Sequence, residues 1–130
     1  MLITGDYRGL LLSELGLELS DKAQFLGESV DGEIISMAAF DNYDTVDIDI
    51  HIVAKRISRK WVRACMAYVF DVCKCRRMTS LNDSNNFQMK PYLERLGFQY
   101  EGTKRHGLAD SDLIIYGLLK EDIPSWASPK

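Results

Sequence analysis

No apolar run in this chain approaches the ~20 residues of a membrane-spanning helix, and no Pro-, Gly- or Ser-rich linker, low-complexity tract or internal repeat divides its 130 residues. One soluble domain over residues 1–130, with no membrane partner, is the expectation. Met1 is not followed by a basic and then apolar segment, so a cytoplasmic location is expected as well. Basic excess is also missing. The net charge of −3 argues against a protein built chiefly to coat nucleic acid. Cysteine is scarce and odd in number: Cys65, Cys73 and Cys75 sit in one predicted helical region and do not make a secreted disulfide framework. The two histidines, His51 and His106, lie far from them without ligand spacing, so no metal site is expected. Cys65 and Cys73 then serve as small apolar fillers. What is present, 46% hydrophobic and 27% charged residues, suffices for a single core that buries roughly two-thirds of the unfolded surface.

Periodicity divides the chain into alternating element types. Leu10–Leu12 with Leu15, stopped by Gly16, form one short helix. Gln24–Val30 and Glu33–Phe40 are two strands joined by Asp31–Gly32, a tight-hairpin signal. In Val46–Val53 the period is two: Val46, Ile48, Ile50 and Ile52 point one way, and Asp47, Asp49 and His51 the other. From Ser58 to Lys74 it becomes helical, with Val62, Cys65, Met66, Val69 and Cys73 on one stripe. A strand at Met78–Leu81, a helix between Ser84 and Leu96, and strands at Phe98–Gly102 and Leu113–Leu119 complete an α/β layout around one mixed, mostly antiparallel sheet.

The segment Arg56–Trp61, RISRKW, is electrostatically odd. Ser58 is the expected N-cap, which puts Arg59 and Lys60 in the first helical turn and Arg56 just before it. Cations there oppose the helix dipole at ~0.3–1 kcal/mol each unless an anion sits among them. Free N–H groups with three cations suit a phosphate or diphosphate; an exposed charged turn with nothing bound is the equal alternative. Lys74, Arg76 and Arg77, at the other end of the helix, are favourable to its dipole and call for no ligand.

The stretch LERLGFQYEG ends a helix at Gly97 and resumes at once as a strand, which a left-handed glycine C-cap explains. With it, Asn86, Leu96–Gly97–Phe98, Glu101–Gly102 and Arg105 match, in order and spacing, a motif of the Gcn5-related N-acetyltransferases, the GNAT family. The resemblance runs from about Phe25 to Ile123 and implies a GNAT-like fold and transfer of an acetyl group from acetyl-CoA to an amine acceptor, protein or small molecule, by direct attack. It further implies that the cofactor lies between Val46–Val53 and Met78–Leu81, against Ile52, Val53, Ala54 and Asn86, with its diphosphate on Arg56, Ser58, Arg59 and Lys60. A main-chain N–H near Ile52 or Val53 would polarise the thioester carbonyl.

On the same resemblance His51 is the candidate general base, with Asp49 beside it to hold the imidazole or a cationic substrate, and Tyr92 is the candidate acid. Two departures stand out. The turn RISRKW lacks the glycines many members carry, and the position of their tyrosine, four before the glycine, is Leu93; a one-residue shift to Tyr92 turns a side chain about 100° around a helix. Pro91 implies that this helix either starts near Lys90 or kinks there. A GNAT-fold protein with weak or no catalysis, acting by binding CoA or a protein, is the alternative; a nucleic-acid binder using Arg56, Arg59, Lys60 and Arg63 ranks below both. A homodimer is compatible with either of the first two.

Overall fold

The computed structural model, described for residues 1–129, contains seven strands and three α-helices. In chain order these are β1 (Leu2–Thr4), α1 (Arg8–Leu15), β2 (Gln24–Val30), β3 (Glu33–Asp41), β4 (Asp49–Ala54), α2 (Arg59–Met66), β5 (Arg77–Asp83), α3 (Lys90–Arg95), β6 (Gln99–Lys104) and β7 (Leu113–Leu119). The strands form one sheet in the order β1-β2-β3-β4-β5-β7-β6, antiparallel throughout except where β4 meets β5. The expected α/β architecture is therefore observed, with a short first strand and two C-terminal 3-10 turns that periodicity did not indicate.

Local chemistry sets the element ends. Asp31 and Gly32 both have positive φ, 52° and 80°, as a two-residue hairpin turn requires. Helix α1 stops at Gly16, whose left-handed backbone returns its N–H to the Leu12 carbonyl at 2.9 Å. Helix α3 ends in a full Schellman motif: the Phe98 N–H reaches the Leu93 carbonyl at 3.0 Å and the Gly97 N–H reaches that of Glu94 at 3.1 Å. Gly97 has φ 97°, and a Cβ there would lie 2.7 Å from the Asp122 carbonyl, so both conformation and space demand glycine. Pro91 lies in the first turn of α3, so the helix starts beside it and does not kink.

Two expected boundaries move, each for a visible reason. Strand β4 starts at Asp49, because the Asp44 carboxylate accepts the N–H groups of Val46 (3.0 Å) and Asp47 (2.7 Å) and closes a local turn. Val46 is left exposed. The helix predicted through Lys74 is α-helical only to Met66 and winds as a π-helix over Ala67–Val72, with the Cys73 N–H on the Tyr68 carbonyl at 2.9 Å. The wider turn keeps Val69 and Phe70 buried while Tyr68 packs on Phe40 at 4.9 Å between ring centroids.

The two sheet faces are covered differently. Even-numbered residues of β3 and β4 (Ala38, Phe40, Ile50) join Trp61, Val62, Cys65 and Met66 of α2, Leu93 of α3 and its C-cap residue Leu96 in the main core. Trp61, the largest fully buried side chain, satisfies its indole N–H on the Leu26 carbonyl at 3.0 Å. Odd-numbered residues, Phe25, Met37 and Ala39, pack with Leu11 of α1 in a smaller core on the opposite face. Cys65 is buried in the main core and burial pushes its thiol up above the usual range, consistent with an inert filler.

Candidate active site

The sheet parts between β4 and β5. These parallel neighbours share one ladder pair, Asp49 with Thr79, whereas every other adjacent pair of strands has at least three. The Thr79 N–H donates to the Ile48 carbonyl at 2.9 Å, and the Lys55 N–H donates to the Ile35 carbonyl on the other side at 2.8 Å. Strand alternation then aims the backbone groups of even residues on β4 at β5 and those of odd residues at β3. Beyond the vertex the Ile52 and Ala54 backbone groups face the gap without a strand partner among the described residues, while Val53 pairs with Met37. On β5 the same parity leaves Leu81 and Asp83 facing the gap, and Ser80 and Asn82 pair with β7. Of the two N–H groups expected near the thioester, Ile52 offers the one that points inward.

His51 and Asp49 lie half-buried on the α1 side of the sheet, at register with Ala39 and the buried Asp41 of β3. Asp41 is structural: its carboxylate takes the Ser20 N–H (2.8 Å), the Ser20 hydroxyl and the Asn42 N–H (2.9 Å). The Asp49 carboxylate accepts the side-chain amide of Asn42 at 2.9 Å, and among the described residues the His51 ring makes no hydrogen bond, to Asp49 or otherwise. Burial raises the Asp49 carboxyl above its ordinary value, with the Asp47 and Asp41 charges adding to the effect and the Asn42 bond opposing it. Burial lowers the His51 imidazole, against the pull of Asp49 and Asp41. A neutral imidazole at neutral pH is thus held near one half-buried carboxylate, a state able to accept a proton.

The turn between β4 and α2 is built as expected and also holds something sequence reasoning missed. Ser58 caps α2, accepting the Trp61 N–H at 3.1 Å. Arg56, Arg59 and Lys60 are exposed and form no ion pair among the described residues, whereas Lys55 pairs with Glu33. An anion is already close by: the Ser58 hydroxyl donates at 2.6 Å to Glu28 of β2, a carboxylate only 7% exposed. Opposite Glu28 in register, Ser36 carries the one fully buried side-chain polar atom without a partner among the described residues. Glu28 occupies an inward, even position of its strand, an unusual place for a carboxylate and the only trace of it in the sequence.

Three other expectations are placed as follows. Tyr92 is exposed on the outer side of α3 with the Arg95 guanidinium 4.8 Å from its ring centre, while Leu93 is buried in the main core. Asn86 is exposed in the turn before α3, its N–H on the Asp83 carbonyl at 3.1 Å. Arg77 needs correcting: it belongs to β5, not to the end of a helix, and its guanidinium is engaged by Asp47, Thr79 and Glu101. A cleft of about 570 Å³ opens elsewhere, at the β1–β2 edge between Asp6, Arg8, Phe25, Phe40 and Tyr68, and contains none of the candidate groups.

Neither a protein-family model nor a curated protein sequence matches the chain. Solved structures do. A mutant of the spermidine N-acetyltransferase SpeG from Vibrio cholerae superposes with a TM-score of 0.73 over 93% of this chain and 95% of its own, at 12% identity. The N-acetyltransferase PseH from Campylobacter jejuni, solved in complex with acetyl coenzyme A, gives 0.61 over 78% of this chain and 70% of its own at 15% identity. A probable acetyltransferase gives 0.67 over 88% and 67%, at 24% identity. The fold is that of the GNAT acetyltransferases. In GNAT terms, the gap between β4 and β5 and the α2 turn are the parts that the resemblance read from Asn86–Arg105 assigned to the cofactor. No helix among the described residues is long and apolar enough to cross a membrane.

Proposed function

We propose that this chain is an N-acetyltransferase that uses acetyl-CoA to acetylate an amine. The observation that carries the reading is the gap beyond Asp49–Thr79, where Ile52, Ala54, Leu81 and Asp83 present backbone groups that no strand satisfies. An extended pantetheine-like chain would satisfy them, and the free cations Arg56, Arg59 and Lys60 at the mouth of the gap suit a diphosphate. Acetyl-CoA supplies an activated acetyl thioester. The Ile52 N–H, which faces the gap, would polarise the thioester carbonyl, and His51, neutral through burial, would take the proton of the amine directly or through water. Asp49 and the neighbouring Asp47 and Asp41 set a negative field on that side of the sheet, which favours a cationic amine. Leu93 has no proton to give and Tyr92 is held on the outer surface by Arg95, so we assign protonation of the departing thiolate to solvent.

A second reading, CoA binding with little or no turnover, is favoured by the buried Leu93, which offers no acid to the departing thiolate. Incubation with acetyl-CoA and a panel of primary amines, followed by mass spectrometry, separates the two. Acetylated amine with stoichiometric free CoA supports the enzyme; saturable acetyl-CoA binding without product supports the second reading. At ~100 times Kd, binding should add about 2.7 kcal/mol to stability.

A further inference from the structure

Four side chains from the strands around the gap meet on the α1-facing side of the sheet, just before β4 and β5 part. The Thr79 hydroxyl lies 2.8 Å from each oxygen of the Asp47 carboxylate, so Asp47 crosses from the approach to β4 onto β5. Arg77 reaches Asp47 through Nε at 3.5 Å and Thr79 Oγ1 through Nη2 at 3.2 Å. The same guanidinium grips Glu101 of β6 with two arms, at 2.5 and 3.1 Å. Gly117 of β7 makes room: a Cβ there would collide with the Glu101 carboxylate and the Arg77 guanidinium. Thr79 is also the β5 partner in the single ladder pair at the vertex. Beyond it, among the described residues, no side-chain hydrogen bond or ion pair joins residues 50–54 to 80–83.

The network also sits beside the candidate chemistry. His51 feels the charges of Asp49 on its own strand and Asp41 on β3, and Asp47 acts on Asp49. Farther along the same face lie Lys55, paired with Glu33, and Arg77 and Asp83 of β5, while α1, which packs on β4, carries Arg8 and Glu14. Arg8 is paired with Asp6. That leaves Arg77 as the cation that offsets the row of carboxylates. Resting on the acetyltransferase reading above, we propose that Arg77 and Thr79 are positioning residues: they hold Asp47 across the vertex, so fixing the opening of the cofactor gap, and Arg77 screens the Asp47 charge from Asp49 and His51.

Two measurements test the two halves. The first is NMR titration of the two imidazoles, assigned with His51→Gln. In Arg77→Gln the unscreened Asp47, four residues and thus ~13 Å along the strand from His51, should raise the His51 pKa by roughly half a unit. Asp47→Asn should lower it, Arg77→Lys should leave it nearly unchanged, and His106, at the far end of the β6–β7 hairpin, should not move in any variant. The second is calorimetry with acetyl-CoA on Thr79→Val, which should bind about tenfold more weakly, the scale of one lost hydrogen bond to a charge. A His51 titration unmoved in both Arg77→Gln and Asp47→Asn overturns the screening role, and undiminished acetyl-CoA affinity in Thr79→Val overturns the vertex role. Wild-type protein that does not bind acetyl-CoA defeats the acetyltransferase reading and the vertex role together, while the titration decides the screening role independently.

Discussion

Glu28→Gln should strengthen acetyl-CoA binding. Its carboxylate lies 2.6 Å from the Ser58 hydroxyl, which in turn lies 3.1 Å from the Trp61 amide nitrogen, so the negative charge stands within about 6 Å of the N–H groups that open α2. A diphosphate held by those N–H groups would carry its nearest charge ~7 Å from Glu28. Two like charges at that separation repel by about 2 kcal/mol at an effective dielectric of ~20, and salt and water at an exposed turn reduce this to roughly 1 kcal/mol. Glutamine keeps the shape and the acceptor for Ser58 and removes only the charge. Calorimetry should therefore show acetyl-CoA bound about fivefold more tightly by Glu28→Gln, with a thermal midpoint confirming that the variant is folded. Affinity that is unchanged or weaker in a folded variant would refute the reasoning and separate the α2 turn from the diphosphate.

Replacing Arg56, Arg59 and Lys60 together with Gln should weaken acetyl-CoA binding and flatten its salt dependence, while leaving the apo protein at least as stable, since the three cations oppose the α2 dipole; unchanged affinity would make them a solvated turn. His51→Gln should lower kcat/KM by about 10²–10⁴-fold with acetyl-CoA affinity retained. In the wild type kcat/KM should rise with pH through a group titrating below about 6.5, because burial lowers His51. The same shift acts on stability: between the lowered native value and about 6.5 the unfolded chain binds more protons, so the wild type loses stability as pH falls through that window and His51→Gln should not. Asp49, raised in the fold, works the other way just above its ordinary carboxylate value. Ser36→Ala removes a buried hydroxyl without a partner and should raise stability by about 0.5–1 kcal/mol, some 2–4 °C in Tm; a fall of similar size would show that the hydroxyl has a partner such as a bridging water.

Features set by neighbouring residues are legible in the sequence. The Asp31–Gly32 turn, the Gly97 cap, the Ser58 cap and the two-faced pattern of Val46–Val53 depend on contacts a few residues apart, and each is found where spacing put it, apart from the Asp44 turn that delays β4 to Asp49. Features set by distant pairing were not. Glu28 meets Ser58 thirty residues on, and Arg77 meets Glu101 twenty-four residues on, so neither appears in any local period. The parting of β4 from β5 is a failure of pairing, which sequence alternation cannot express; only the GNAT resemblance suggested it. Tyr92 illustrates the limit of that resemblance, since one residue of helical offset puts Leu93 in the core and Tyr92 against Arg95 at the surface.

The central claim is that the gap between β4 and β5 holds acetyl-CoA. Titration of ¹⁵N-labelled protein with acetyl-CoA, followed by amide chemical shifts, tests it most directly. The account predicts saturable shifts at Ile52, Ala54 and Leu81, whose N–H groups face the gap, and at Arg59 and Lys60 on the α2 turn, with smaller changes at Val53, which is paired to β3. Shifts confined to the β1–β2 cleft around Phe25, Phe40 and Tyr68, or none at millimolar acetyl-CoA, would contradict it.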